Sequence, residues 1–490
     1  MLQLKQIAVG FILFTLWGAG NLHAAELRIG TATADITPAL PVALSGQFEL
    51  RIAHAAATPL TANIVALESR QGDRSLDMAI LVSCDLVGIP NELIAAVRDE
   101  VGKRLPGVEV HKIFLNAIHT HTAPVLRNGE YQIPREGVTQ VDAYRAFFVE
   151  RVSAAIVHAW KARRPGSVTW GLSHAVVANN RRAVYANGTA KMYGDTNLPE
   201  FLSLEGYEDH DVHTLFFWNQ GGKLIAAIIE VACPAQEVES DTSVNADFWH
   251  PVRVALRQRF GPDLCVLGMV GAAGDQSPHL MYRKAAEERM RKLRNLSRLD
   301  EIARRIVLAV EEAYDTVKND RHADVPLAHK VETLALPMRV VTEAEYAEAK
   351  AVRDKNAAAI AADPKAADHL YMQMQWYGNA AERFEKQRTD PQPKLESEIH
   401  VLRLGDVVLC TNQFEFFTDY GIRIQARSKA LQTLVIQLAG PGTYLPTKKA
   451  VRGGGYSAII ESNLIGPEGG QILVDRTVEL INGLWSNSSN

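Results

Sequence analysis

The chain is poor in cysteine: Cys84, Cys233, Cys265 and Cys410 are its four, each inside an apolar run of a 490-residue sequence. That spacing matches neither a disulfide-stapled small domain nor a zinc ribbon, and buried unpaired thiols are the expectation. Aromatic residues make up 7%, no block of basic residues occurs, and the formal net charge is -4, which argues against nucleic acid as a partner. Past Trp17 no apolar run approaches the roughly 20 residues of a membrane-spanning helix. Internal repeats, low-complexity linkers and a G-x-S-x-G nucleophile elbow are lacking too.

Hydrophobic residues at 47% and charged residues at 22% are the balance of a soluble globular protein with a large core. The N-terminus reads differently. Lys5 precedes the apolar run Ile7 to Trp17, then Gly18, Gly20 and the small-residue site His23-Ala24-Ala25-Glu26. This is the layout of a secretory signal peptide over residues 1–25, so the mature chain is expected to be exported, periplasmic or secreted, without a transmembrane span.

Short apolar strands then alternate with amphipathic helices. Strands are predicted at 79–83, 112–116, 213–218, 224–231, 264–269, 407–411 and 434–438. Helices are predicted at 91–105 with Asn91 as N-cap, and at 143–162, 248–260 and 300–317. The expected fold class is α/β, a layered mixed sheet with flanking helices. From Thr342 to Arg388 the chain is rich in Ala, Glu, Lys and Gln, with Asp363-Pro364 breaking it, which predicts a helical insertion. Its aromatic residues Tyr371, Trp376 and Tyr377 either cover a pocket or seat the insertion.

Chemistry concentrates where strands run out. His119-Thr120-His121 follows an apolar strand, and residues two apart on an extended chain share a side, so two imidazoles can meet on one metal or substrate. Gly271-Ala272-Ala273-Gly274-Asp275-Gln276-Ser277 follows another strand; its glycines free backbone amides, and Ser277 beside Asp275 is a candidate nucleophile or proton donor. Glu415 stands among aromatics in Asn412-Gln413-Phe414-Glu415-Phe416, a costly place for a carboxylate without a cation. Two tyrosines, Tyr444 and Tyr456, sit in glycine-rich loops.

Taken in order, these segments resemble the neutral (alkaline, non-lysosomal) ceramidase family in its catalytic N-terminal domain. The likeness runs from Leu27-Arg28-Ile29-Gly30 and Ala34-Asp35-Ile36-Thr37-Pro38 through Ser45-Gly46, His119-Thr120-His121, Gly274-Asp275-Gln276-Ser277-Pro278 and Glu415 to Tyr444-Leu445-Pro446-Thr447. The resemblance implies a zinc-dependent amidase that cuts the N-acyl bond of a ceramide-like lipid. It implies His119, Glu415 and Tyr444 as zinc ligands, His121 and Ser277 as catalytic residues with Asp275 beside them, and Arg182 or its neighbour Arg181 as a substrate-side arginine. The expected domain spans 26–490, without the immunoglobulin-like C-terminal domain of better-known members.

One departure bears on the metal. The family's second zinc histidine is expected after the strand ending Glu230-Val231-Ala232, where this chain reads Cys233-Pro234-Ala235-Gln236-Glu237. Cys233 is the best local substitute as thiolate; Gln236, Glu237, His250 and His279 are others. Two further readings stand beside the zinc amidase: a metal-independent serine hydrolase using Ser277, and a non-catalytic envelope protein binding lipid or glycan on a decayed scaffold. Nothing in the sequence specifies an oligomeric state.

Overall fold

Alternation along the strands sorts side chains onto two faces, and both faces are buried. In the strand Thr61–Gln71, Ile64 and Ala66 face one way and Val65 and Leu67 the other; in Arg74–Cys84, Ile80 and Val82 oppose Ala79 and Leu81. A sheet apolar on both sides must be covered on both sides. The computed structural model describes residues 25–485, so all but the last residue of the signal-peptide segment lies outside the described residues.

The large sheet has eight strands: β1 (Glu26–Asp35), β2 (Thr61–Gln71), β3 (Arg74–Cys84), β4 (Ile113–Ala117), β5 (Arg164–His174), β6 (Asp211–Asn219), β7 (Leu224–Val231) and β8 (Cys265–Val270). Their order is β8-β7-β6-β5-β1-β2-β3-β4, with the two outermost pairs parallel and the rest antiparallel. A second sheet runs β9 (Leu327–Pro337), β10 (Lys394–Leu404), β11 (Val407–Thr411), β12 (Gln432–Ile436), with β11 and β12 parallel. The two sheets lie face to face on a core that includes Val65, Leu81, Phe217, Leu267, Leu402 and Leu434.

Helices close the stack outside. α1 (Asn91–Arg104) and α2 (Val141–Lys161) cover one part of the large sheet through Val97, Val101, Phe148 and Ile156. α3 (Trp249–Phe260) and α4 (Arg298–Val317) cover the other through Trp249, Val252, Ile306 and Val310. The outer face of the small sheet packs on α7 (Thr418–Arg427) and α8 (Pro467–Gly483), after the hairpin of α5 (Glu343–Ala362) and α6 (Ala367–Gln387). This is the layered mixed α/β body that the sequence predicts, with two stacked sheets. Pro90, not Asn91, caps α1, and no side chain bonds that helix end.

The large sheet coils until β8 meets β3, where the Ser83 hydroxyl donates to the Gly268 carbonyl at 2.6 Å. The segment leaving β12 bridges the remaining gap: Gln437 N–H donates to Val270 and Ala117 N–H to Leu438. Loops following β4, β7, β8, β11 and β12 therefore gather at one place. All four cysteines are buried and free, and among the described residues no helix is long and apolar enough to cross a membrane.

Candidate active site

The first loop follows β4. His119 takes a left-handed conformation, φ +69°, and its Nδ1–H donates to the Val87 carbonyl at 2.6 Å, which presents Nε2 to the interior of the site. The His119 and His121 rings meet edge to face at 4.9 Å, with their Nε2 atoms 3.4 Å apart. They converge through this turn rather than through strand alternation, because the β ladder stops at Ala117. Arg51 holds the second residue by donating to the His121 carbonyl at 2.6 Å, and Gly46 lets His121 approach: a Cβ there would lie 2.5 Å from its Cγ.

Glu415 and Tyr444 arrive together because the short strands Glu415–Phe416 and Tyr444–Leu445 pair in parallel with those two residues in register. Gly274 makes room for them, since a Cβ on it would meet the Glu415 carbonyl oxygen at 2.3 Å. Glu415 Oε2 lies 3.4 Å from His119 Nε2. Behind them Arg181 is fully enclosed and donates four hydrogen bonds: to Gln236 Oε1 and Tyr444 Oη at 3.1 Å each, to Tyr193 Oη at 3.2 Å, and to the Gly274 carbonyl at 3.1 Å. Its Nε–H is buried without a partner. Gln236 turns its amide hydrogen to His121 Nε2 at 2.8 Å, while His121 Nδ1 faces Glu239 at 3.4 Å without hydrogen-bond alignment.

The charges in this cluster are mutually held. Burial pushes the Glu415 carboxyl up, but His119, Arg181 and a hydrogen bond from Tyr444 outweigh it and keep it below its usual range. Burial, helped by the surrounding cationic groups, lowers the His121 pKa well below normal, so that imidazole is neutral at physiological pH. Burial also raises Tyr444 far above a free phenol. Fully enclosed titratable groups with shifted pKa values at a cleft floor mark a functional site more often than a structural one.

Other candidates sit elsewhere. Cys233 is buried in the core beneath α3, its sulfur 3.6 Å from the Val177 carbonyl, and burial raises its pKa, the opposite of what a thiolate ligand needs. Arg182 clamps Glu205 through Nε at 2.7 Å and Nη2 at 3.1 Å and bonds Ser457 and the Gly454 carbonyl, so the site arginine is its neighbour Arg181. Asp275 accepts from Thr418 and Asn180, tying its loop to the start of α7. Ser277 is fully buried and accepts the His279 backbone N–H at 2.9 Å, outside the residues that line the cleft. Glu237 pairs with Arg298, His250 lies on α3, and His279 bonds the Gln236 carbonyl.

Ser277→Ala is accordingly expected to change activity less than about tenfold and to cost about 1 kcal/mol of stability through one lost hydrogen bond. A thousandfold loss would place Ser277 in the chemistry.

The zinc set implied by the resemblance can be tested on these donors. A catalytic zinc takes three strong protein ligands. His119 and Glu415 converge, and Tyr444 touches Glu415, but its hydroxyl also accepts from Arg181. The His121 Nε2 lone pair is spent on Gln236, and the Gln236 oxygen faces the Arg181 cation. Among the described residues no group of three or more His, Cys, Asp and Glu side chains is placed to hold a metal ion. This donor set does not fit a resident zinc.

The cluster opens into a cleft of about 670 Å³. Tyr371, Met372 and Trp376 of α6 form one wall; Tyr456, Glu130, Arg127 and Glu461 contribute to the rest. Trp376 meets Phe48 at 5.3 Å and Tyr456 at 5.6 Å, so the insertion covers the cleft, whereas Tyr377 flanks the hairpin core of Val341 and Phe384. A second concavity of about 740 Å³ over Tyr185, Lys191 and Leu198 carries no histidine and none of the shifted acids above. Glu239 and Tyr456 are the site residues that carried no signal of their own beyond glutamate and tyrosine in loops.

The two-sheet, helix-flanked architecture is that of the neutral ceramidases. The structure of neutral ceramidase from Pseudomonas aeruginosa matches with a TM-score of 0.67 at 17% identity, over 94% of this chain and 75% of that one. A ceramidase complexed with C2 matches with the same TM-score and coverage at 15% identity. No family model and no curated protein matches the sequence.

Proposed function

We propose that the protein is an amidohydrolase that cleaves the N-acyl amide of an amphipathic, ceramide-like lipid. The observation that carries this reading is the His119–Glu415–Tyr444 cluster, backed by the enclosed Arg181, at the floor of a cleft roofed by aromatic residues. An apolar chain fits against Trp376, Met372 and Tyr371, and the amide reaches the charged floor.

His119 Nε2 is the base of the reaction because Nδ1–H is engaged by Val87. It takes a proton from the attacking water as the oxygen bonds to the carbonyl carbon. Glu415 at 3.4 Å stabilises the imidazolium that forms. The Tyr444 hydroxyl faces the negative charge that develops on the carbonyl oxygen, and the Arg181 cation, hydrogen-bonded to that hydroxyl from behind, favours it. When the C–N bond breaks, the imidazolium returns its proton to the leaving nitrogen, giving a carboxylic acid and an amine. Export, which the leader-like N-terminus implies, would place this activity outside the cytoplasm.

Trp376→Ala should raise KM about tenfold, equivalent to about 1.4 kcal/mol of lost apolar contact, with kcat nearly unchanged. An unchanged KM would remove the insertion from substrate binding. A second reading, a lipid-binding protein without catalysis, is favoured by one observation: Gln236 already occupies the His121 lone pair. Release of free fatty acid from an N-acyl amide by wild type separates the two. Binding without release supports the second.

A further inference from the structure

We infer that this site works without a resident divalent cation, and that Gln236 makes it so by joining His121 to the Arg181 guanidinium, which supplies the positive charge beside Glu415 and Tyr444. Gln236 lies just beyond β7, in the loop where the resemblance calls for a second metal histidine. Its carboxamide does two things an imidazole ligand could not do at once: it accepts from Arg181 Nη1 at 3.1 Å and donates to His121 Nε2 at 2.8 Å. The bond to His121 occupies the one lone pair of that imidazole nitrogen, and the bond from Arg181 sets a fixed cation against the amide oxygen.

The charge balance points the same way. Glu415 is the anion a metal would neutralise, and it already has Arg181 Nη2 at 3.9 Å and a hydrogen bond from Tyr444. The Tyr444 hydroxyl, a weak ligand unless ionised, accepts from that same guanidinium. Arg181 cannot lose its proton, and with 2% of its side chain exposed it is a permanent cation directly behind the cleft floor. A dication added to this set would meet an immobile like charge and find two strong ligands where a catalytic zinc takes three.

The inference rests on the reading above only in taking this cluster as the working site; its test does not use hydrolysis. Zinc chloride is titrated by calorimetry into the purified wild-type protein and into the Gln236→His and His119→Ala variants, each checked for native circular dichroism. Wild type is expected to show no stoichiometric zinc binding in the micromolar range. Gln236→His frees His121 and adds a strong donor, and should bind one zinc at least about a hundredfold more tightly than wild type, the upper end of what an outer-shell partner changes. One tightly held zinc per wild-type chain, lost in His119→Ala, would overturn the inference. A Gln236→His variant that folds but gains no affinity would overturn the role given to Gln236. Should that variant fail to fold, the wild-type and His119→Ala titrations decide the matter alone.

Discussion

His119→Asn is expected to lower kcat/KM for an N-acyl amide by about a thousandfold, the middle of the range a positioned general base contributes. Asparagine is the substitution of choice because residue 119 sits at φ +69°, a region that asparagine enters more readily than alanine. The side chain keeps a polar group near the Val87 carbonyl but offers no basic nitrogen to water. Stability should change by less than about 1 kcal/mol, since Glu415 retains Arg181 and Tyr444. A stopped assay on substrate in excess, with a denaturant melt alongside, measures both. A loss below about tenfold would remove His119 from the base role.

Glu205→Ala should be the most damaging substitution for the fold. The Arg182–Glu205 pair is enclosed, bidentate and remote from water, and alanine would leave an uncompensated guanidinium inside the protein. Breaking such a pair costs about 3–5 kcal/mol. Arg182 also bonds the Ala450 and Gly454 carbonyls and the Ser457 hydroxyl, so its release loosens the loop that carries Tyr456. The double variant Glu205→Ala/Arg182→Met should recover part of the loss, because a hydrophobic pair removes the stranded charge. A melt in which Glu205→Ala falls by less than about 1 kcal/mol would show the pair to be dispensable.

The strands legible in the sequence were unbroken apolar runs; Thr61–Gln71, buried on both faces, was not among them because Asn63, Glu68 and Ser69 interrupt its apolar residues. Leu224–Val231 and Val407–Thr411 match to the residue because their neighbours leave no polar alternation to blur the ends. Glu26–Asp35, Arg164–His174 and Lys394–Leu404 carry polar residues at half their positions and fall in no apolar run, yet they pair into the same two sheets. The helical insertion was legible from composition, which left open whether its aromatics cover a pocket or seat it, because the contact that decides, Trp376 on Tyr456, spans 80 residues of chain.

The site divides along similar lines. His119 and His121 stood out because they follow an apolar strand, and Glu415 because it stands among aromatics just after another; Tyr444 was one of two loop tyrosines whose ligand role came from the resemblance, and its pairing with Glu415 appears only in the fold. Arg181 and Arg182 are adjacent and chemically identical; only the fold separates the one that reaches Tyr444 from the one that holds Glu205. Cys233 was attractive as the nearest soft ligand, but the chain after β7 turns its thiol into the core and brings Gln236 to His121 instead.

The most direct measurement is the release of free carboxylic acid and free amine from a long-chain N-acyl amide, followed by mass spectrometry with wild type and His119→Asn in parallel. Equal amounts of both products from wild type, and a residue of about one part in a thousand from the variant, are predicted. Saturable binding of the amide with no product from either protein would contradict the account and leave a cleft that holds lipid without cutting it.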